Sequence, residues 1–197
     1  MCGRYFIDNE TSMEFKKIIL DSCKNLDAAL FRTGEIFPTN EATILIADNR
    51  HMKPYLCKWG FPHFQNKGVI INARSETVLD KKMFRECMLE RRCIIPASGF
   101  YEWNSVKNKL RFTPKEENLL YMAGLYQIFD KKPCFVILTT KANSSISDIH
   151  DRMPLLIPQA QIHSWLCDYS IALKLLNQQP HDLNRSCEWE QQTLIFR

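Results

Sequence analysis

The sequence predicts one domain in which many short strands are mixed with a few helices, and three observations predict it. The chain has 197 residues, longer than the commonest domain but within the range of one mixed or all-β domain with a sizeable core. It is 45% hydrophobic and 24% charged, the balance of an ordinary soluble globular protein. Short β-branched and aromatic runs bounded by turn residues recur along its length, interrupted by only a few stretches of helical period. No repeat, low-complexity tract or linker divides residues 1–197.

From the N-terminus, Gly3–Ile7 reads as a short strand that fixes a terminus which would otherwise fray. Thr11-Ser12-Met13-Glu14 fits a capping box, and Phe15, Ile18, Ile19 and Ser22 follow at helical spacing, so residues 12–24 are expected as an amphipathic helix. Phe37-Pro38-Thr39-Asn40 is a turn leading into a buried strand over 42–47, and Asp48-Asn49-Arg50 turns it back into a strand over 52–59. Trp59-Gly60-Phe61-Pro62-His63-Phe64 is either a core corner or an exposed aromatic platform on which a base can stack.

Val69-Ile70-Ile71 reads as a strand, and the polar cluster Asn72-Ala73-Arg74-Ser75-Glu76-Thr77 begins at its end. Strand ends hold side chains rigidly while facing solvent, which makes this cluster a candidate site. A basic helix is expected over 78–91, with Lys81, Lys82, Arg85, Arg91 and Arg92 in or just beyond it and most of them on a solvated face. Next comes a strand over 93–96, a tight connection Ala97-Ser98-Gly99, and a strand over 100–103. Period 2 puts Glu102 on the face opposite Tyr101 and Trp103. Facing a cleft, its carboxyl would have a raised pKa suited to proton shuttling; facing water, it would be an ordinary edge residue.

Residues 104–118 read as a loop or loose hairpin, followed by strands over 119–128 and 134–140 around the turn Asp130-Lys131-Lys132-Pro133. His150 then lies in Ser147-Asp148-Ile149-His150-Asp151-Arg152-Met153-Pro154, either an acid–base residue poised near neutrality or a surface histidine. Helices are expected over 158–167, with Pro158 at the first helical position, and over 170–177. A closing strand is expected over 193–196.

The net charge of +4 permits a polyanionic partner without requiring one. Arg4, Asp8, Asn9 and Glu10 interrupt any apolar leader and no apolar run is long enough to span a bilayer, so a cytoplasmic protein without a membrane partner is expected. The eight cysteines fall at 2, 23, 57, 87, 93, 134, 167 and 187, with no C-x-x-C and no histidines at ligand spacing. No metal and no cofactor are expected, and most of these thiols read as small buried residues.

Cys2 is different because of where it stands. Once Met1 is removed, it offers an α-amine and a thiol on one carbon skeleton, a pair that captures an aldehyde as a five-membered thiazolidine. An α-amine with pKa ~8 is neutral in a sizeable fraction of molecules near neutrality, whereas a lysine is almost entirely protonated. Only the neutral amine attacks a carbonyl.

Met1-Cys2-Gly3-Arg4, Asn72-Ala73-Arg74-Ser75-Glu76, Gly99-Phe100-Tyr101-Glu102-Trp103 and His150-Asp151-Arg152-Met153-Pro154 stand in this order, with Trp59-Gly60 and Thr139-Thr140 between them. Together they resemble the SOS-response-associated peptidase (SRAP) family of abasic-site processing proteins, over residues 2 to about 158. The resemblance implies a single α+β domain with a β-barrel-like core of mixed and antiparallel strands and flanking helices. It implies binding to single-stranded DNA and covalent trapping of abasic sites by Cys2, with peptidase activity confined chiefly to self-removal of Met1. Cys2 would be the nucleophile, Asn72 would orient the terminus and the opened sugar, Glu102 would move protons at the amine, and His150 would assist Schiff-base formation and reversal. Arg4, Arg74 and Arg152 would hold phosphates, and Phe64 would be the stacking wedge where many members carry tryptophan. The expected acting form is a monomer. Two other readings use the same residues: a thiol peptidase built on Cys2 and His150, and a non-covalent reader of damaged or single-stranded DNA built on the aromatic and arginine cluster.

Overall fold

The computed structural model describes residues 2–20, 33–63 and 68–187. The end of the first expected helix, the stacking candidate Phe64 and the closing strand over 193–196 lie outside the described residues. The elements of the first half are β1 (Tyr5–Ile7), α1 (Asn9–Leu20), β2 (Gly34–Ile36), β3 (Glu41–Asp48), β4 (His51–Trp59), β5 (Phe61–Pro62), β6 (Val69–Ile70), β7 (Asn72–Arg74) and α2 (Lys82–Glu90). The second half contains β8 (Arg92–Ala97), β9 (Gly99–Trp103), β10 (Lys109–Thr113), β11 (Leu120–Phe129), β12 (Lys132–Lys141), β13 (Arg152–Pro154), α3 (Ile162–Cys167), α4 (Tyr169–Leu175) and β14 (Asn184–Cys187).

Strands β11, β8, β3, β4 and β12 pair in that order, and β12 pairs back onto β11, so five strands close into a barrel. Closure removes the free edges that an open sheet would expose. Every pair in the ring is antiparallel except β12 on β4, where Cys134 and Phe135 lie beside Lys58 and Trp59. Alternation along the strands sorts the side chains. Ile44, Ile46, Trp59, Cys93, Ile95, Met122, Phe135 and Ile137 gather in one cluster inside the ring. Leu45, Ile94, Ala123, Leu125, Val136 and Leu138 face outward onto α2, α3 and α4, against Phe84, Trp165 and Ala172. Gly124 on β11 belongs to the inner set, where a Cβ would stand 2.7 Å from the Val136 carbonyl oxygen, so a larger residue meets backbone there.

A second sheet of five strands, ordered β14-β10-β9-β1-β2, carries the N-terminus. Strand β1 is flanked by β2 and β9, with Tyr5 opposite both Ile36 and Phe100. Tyr5 also packs on Trp59, their ring centroids 5.2 Å apart, and this joins the sheet to the barrel core. Trp59 and Phe61 are fully buried, so the aromatic segment around Gly60 is a core corner up to Phe61. Of the two readings of residues 104–118, loop or loose hairpin, the second holds at its start, where β10 returns as an antiparallel partner of β9.

Three helix starts differ from expectation: α3 begins at Ile162, after a 3-10 turn over Gln159–Gln161 that Pro158 precedes, and α1 and α2 shift for local reasons. Asp8 caps α1 by accepting the Thr11 backbone N–H at 2.8 Å, so the helix begins at Asn9, while the Thr11 hydroxyl donates to the Asn118 carbonyl. Residues Ser75–Thr77 form a 3-10 turn, which delays α2 to Lys82. Arg92, which the sequence left on a solvated face, is buried. It donates to Met88 and Leu89 carbonyls at the end of α2 and to Trp165 and Leu166 carbonyls at the end of α3. A cation at two helix C-termini meets the negative ends of both dipoles and satisfies carbonyls that have no intrahelical partner. Among the described residues, no helix is long and apolar enough to cross a membrane.

Candidate active site

The N-terminal arm is held as a strand is held. Backbone bonds run from Tyr101 N–H to the Arg4 carbonyl and from Ser98 N–H to the Phe6 carbonyl, each 2.9 Å. These ties carry Cys2 into the interior, where it is 0% exposed and clusters with Tyr5, Trp59 and Phe100. The strand expected to fix the terminus is present, and Cys2 just before it is buried. Burial pushes the Cys2 thiol well above its usual pKa, with the Glu102 charge adding to the effect and hydrogen bonding to the Arg4 backbone amide opposing it. The sulfur is therefore a neutral thiol, a weak nucleophile until its proton is removed.

Asn72 reaches the same residue from the barrel side. It opens β7, which runs parallel to β12 with Asn72 beside Ile137, and its Nδ2 donates to the Cys2 carbonyl at 3.0 Å. Its Oδ1 is buried without a hydrogen-bond partner among the described residues. The turn after β7 is fixed by Glu76, which accepts two bonds from Arg152, at 2.6 and 2.8 Å. The Arg152 guanidinium, first by its hydrogen bonds, holds the Glu76 carboxyl below its usual pKa. Arg152 is 9% exposed and also donates to the Thr139 carbonyl, so its terminal nitrogens join β13, β12 and the Asn72 turn.

Glu102 and His150 complete the group. Glu102 lies on β9 and is 4% exposed, which answers the question of cleft or open water in favour of the cleft. Burial raises its pKa, and the nearby charge of His150 works against the rise. His150 sits at the end of a run of turns anchored by Asn143, whose Nδ2 donates to the Pro180 and His181 carbonyls and whose Oδ1 accepts from Ser145. The imidazole Nδ1 accepts the Arg152 backbone N–H at 2.9 Å and lies 2.8 Å from Asp151 Oδ1.

The remaining expected residues sit around this centre. Arg4 Nη1 donates to Glu35 at 3.2 Å, and its guanidinium lies 4.3 Å from the Phe37 ring centroid and 5.0 Å from that of Trp103. Arg74 is exposed and lines a groove of about 840 Å³ with Asn72, His63, Lys81, Lys82 and Phe84. The structure thus brings Cys2, Asn72, Glu102 and His150 together, with Arg4 and Arg74 at the rim and Arg152 beneath. Sequence reasoning missed Glu35 and Phe37 as partners of Arg4, because only the pairing of β1 with β2 makes them neighbours. Among the described residues, no group of three His, Cys, Asp or Glu side chains is arranged to hold a metal ion.

Comparison with known proteins agrees in extent with this arrangement. The family model described as SOS response associated peptidase (SRAP) matches residues 1–190. Abasic site processing protein YoqW of Bacillus subtilis is 31% identical over 180 residues, covering 84% of this chain and 80% of that protein. Abasic site processing protein YedK of Escherichia coli is 26% identical over 182 residues, covering 84% of this chain and 79% of YedK. Among solved structures, a phage-related protein from Bordetella bronchiseptica shares the fold with a TM-score of 0.75 at 20% identity, covering 94% of this chain and 93% of its own. With a family model matched along nearly the whole chain and a relative above 30% identity, the chain belongs to the SOS response associated peptidase (SRAP) family.

Proposed function

We propose that this chain traps abasic sites in single-stranded DNA as a covalent thiazolidine adduct of Cys2, formed after removal of Met1. The observation that carries the proposal is the hydrogen bond from Asn72 to the Cys2 carbonyl, which fixes the residue's main chain in a pocket that also holds the Glu102 carboxyl. The abasic processing activity named for YoqW and YedK supports the same reading.

The chemistry follows from those groups. The neutral Cys2 amine adds to the aldehyde of a ring-opened abasic sugar, giving a carbinolamine in which one amine proton has passed to oxygen. A general acid then protonates the hydroxyl, water leaves, and an iminium forms. Glu102, its pKa raised by burial, can carry that proton. The Cys2 sulfur next adds to the iminium carbon while its proton passes to a base, Glu102 or His150, and the ring closes. One water is lost overall. Closing the ring removes the imine that would promote β-elimination, so the strand is preserved. Arg4 and Arg74 are suited to the flanking phosphates by their forked donors. The acting form in this proposal is a cytoplasmic monomer, and the chemistry draws on no metal or cofactor. Self-removal of Met1 belongs to the same proposal, with these proton carriers serving hydrolysis of one peptide bond.

The test is incubation of Met1-free protein with single-stranded DNA bearing one abasic site. A denaturant-stable adduct of mass protein plus DNA minus water is expected, absent for Cys2→Ala and for protein that retains Met1. An adduct that persists in Cys2→Ala would overturn the proposal. Unchanged DNA binding by Cys2→Ala with no adduct even in the wild type would favour a non-covalent reader.

A further inference from the structure

One nitrogen of His150 has two partners that demand opposite protonation. The Arg152 backbone N–H, 2.9 Å from Nδ1, can only donate, so it needs a lone pair on Nδ1 and leaves the ring proton on Nε2. The Asp151 carboxylate, with Oδ1 2.8 Å from the same nitrogen, can only accept, so it needs a proton on Nδ1 and leaves Nε2 with the lone pair. In the first arrangement Nε2 is an acid. In the second it is a base, and taking up a proton there gives an imidazolium whose Nδ1–H remains on Asp151.

From this geometry we infer that Asp151 is a positioning residue that selects the tautomer of His150, and with it whether Nε2 gives or takes a proton. The two partners differ in kind. Arg152 N–H belongs to β13, whose register with β12 is fixed by the pairing of Lys141 with Arg152, so this donor does not move. The Asp151 side chain is 81% exposed, so it can leave the ring for water and return. A fixed donor opposed by a movable acceptor lets one imidazole serve both halves of a proton cycle. Among the described residues, the charged and titratable groups set around it are Asp151 on its own segment, Glu102 on β9, and Arg152 on β13 with Glu76 beyond it.

The catalytic half of this inference rests on the proposed cross-linking of abasic sites; the tautomer half does not. The test therefore has two arms, on Asp151→Asn and Asp151→Glu. In the first, the ring nitrogens of His150 are read by nitrogen-15 NMR in the folded protein without DNA, across neutral and mildly alkaline pH. Wild type and Asp151→Glu are expected to show Nδ1–H character, and Asp151→Asn to move to the Nε2–H form dictated by Arg152. Identical His150 spectra in wild type and Asp151→Asn would overturn the inference. In the second, adduct formation at saturating abasic DNA is expected to fall about tenfold in Asp151→Asn, part of the roughly 100-fold or more that a positioned acid or base supplies. Affinity for DNA should hold, the pH profile should change shape, and Asp151→Glu should recover most of the rate. An Asp151→Asn rate and pH profile equal to wild type would also overturn the inference. Failure of the wild type to form any adduct would instead remove the proposed function and leave the NMR result standing.

Discussion

Glu102 is a carboxyl group kept almost wholly out of water, and its chemistry and its contribution to stability pull in opposite directions. Its pKa is raised in the folded protein, chiefly by burial, so the fold binds its proton more tightly than the unfolded chain does. The associated stability is present at low pH and is lost as pH rises through the folded value, so the ionised group destabilises the protein at neutrality. Glu102→Gln is therefore expected to raise the thermal midpoint at pH ~7.5 while slowing the proposed adduct formation by roughly 100-fold, the scale of a positioned proton carrier. The thermal advantage should shrink as pH falls, which scanning calorimetry at several pH values would reveal. A lower midpoint than wild type at neutral pH would contradict this account. At this scale much of the site was legible in the sequence, since Cys2, Asn72, Glu102 and His150 each stand in a short motif. Their surroundings were not. The burial of Cys2 depends on Trp59 and Phe100, residues brought to it only by the folding of two sheets.

At the scale of elements, periodicity located β3, β4, β8, β11 and β12, whose buried runs are long enough to carry a pattern. It missed β2, β13 and β14, each of which spans only three or four residues, too few to carry a pattern, and lies at the edge of a sheet beside one neighbour. Helix α2 began later than its apolar pattern suggested, because the turn Ser75–Thr77 is held by Glu76 and Arg152, a contact across 76 positions. Arg92 is the clearest case of a residue whose role depends on elements far away in the chain. Its side-chain bonds close the ends of α2 and α3 at once. Arg92→Met keeps much of the stem but leaves those carbonyls without donors in a buried place, and is expected to cost about 3 kcal/mol. A denaturant titration followed by far-ultraviolet circular dichroism would measure it. A loss under ~1 kcal/mol would show that the helix ends find other partners.

For the whole molecule, the pairing of Glu76 with Arg152 ties the Asn72 turn to β12 and β13, and its pH dependence has a definite sign. The Glu76 carboxyl is held below its usual pKa by Arg152. Its stabilisation is complete above the unfolded value of ~4.3 and is lost as pH falls through the lower folded value. Because the Glu76 side chain is 46% exposed, the contribution is discounted for solvent screening to about 1 kcal/mol or less. Glu76→Gln should be less stable than wild type at pH ~7, and the difference should shrink as pH falls below the unfolded value of ~4.3 and vanish below the lower folded value. Urea midpoints measured at neutral and at acid pH test this, and a gap that widens in acid would refute it.

The strand that holds Cys2 also sets a clock. Phe6 pairs with Gly99, so β1 cannot be completed until β9 has been made. At a synthesis rate of about 5–20 residues per second, β9 follows β1 by several seconds to on the order of ten, and until then β1 has only β2 to pair with. Phe100 on β9 is among the residues clustered with Cys2, so the thiol does not reach its buried place until the middle of the chain has been made.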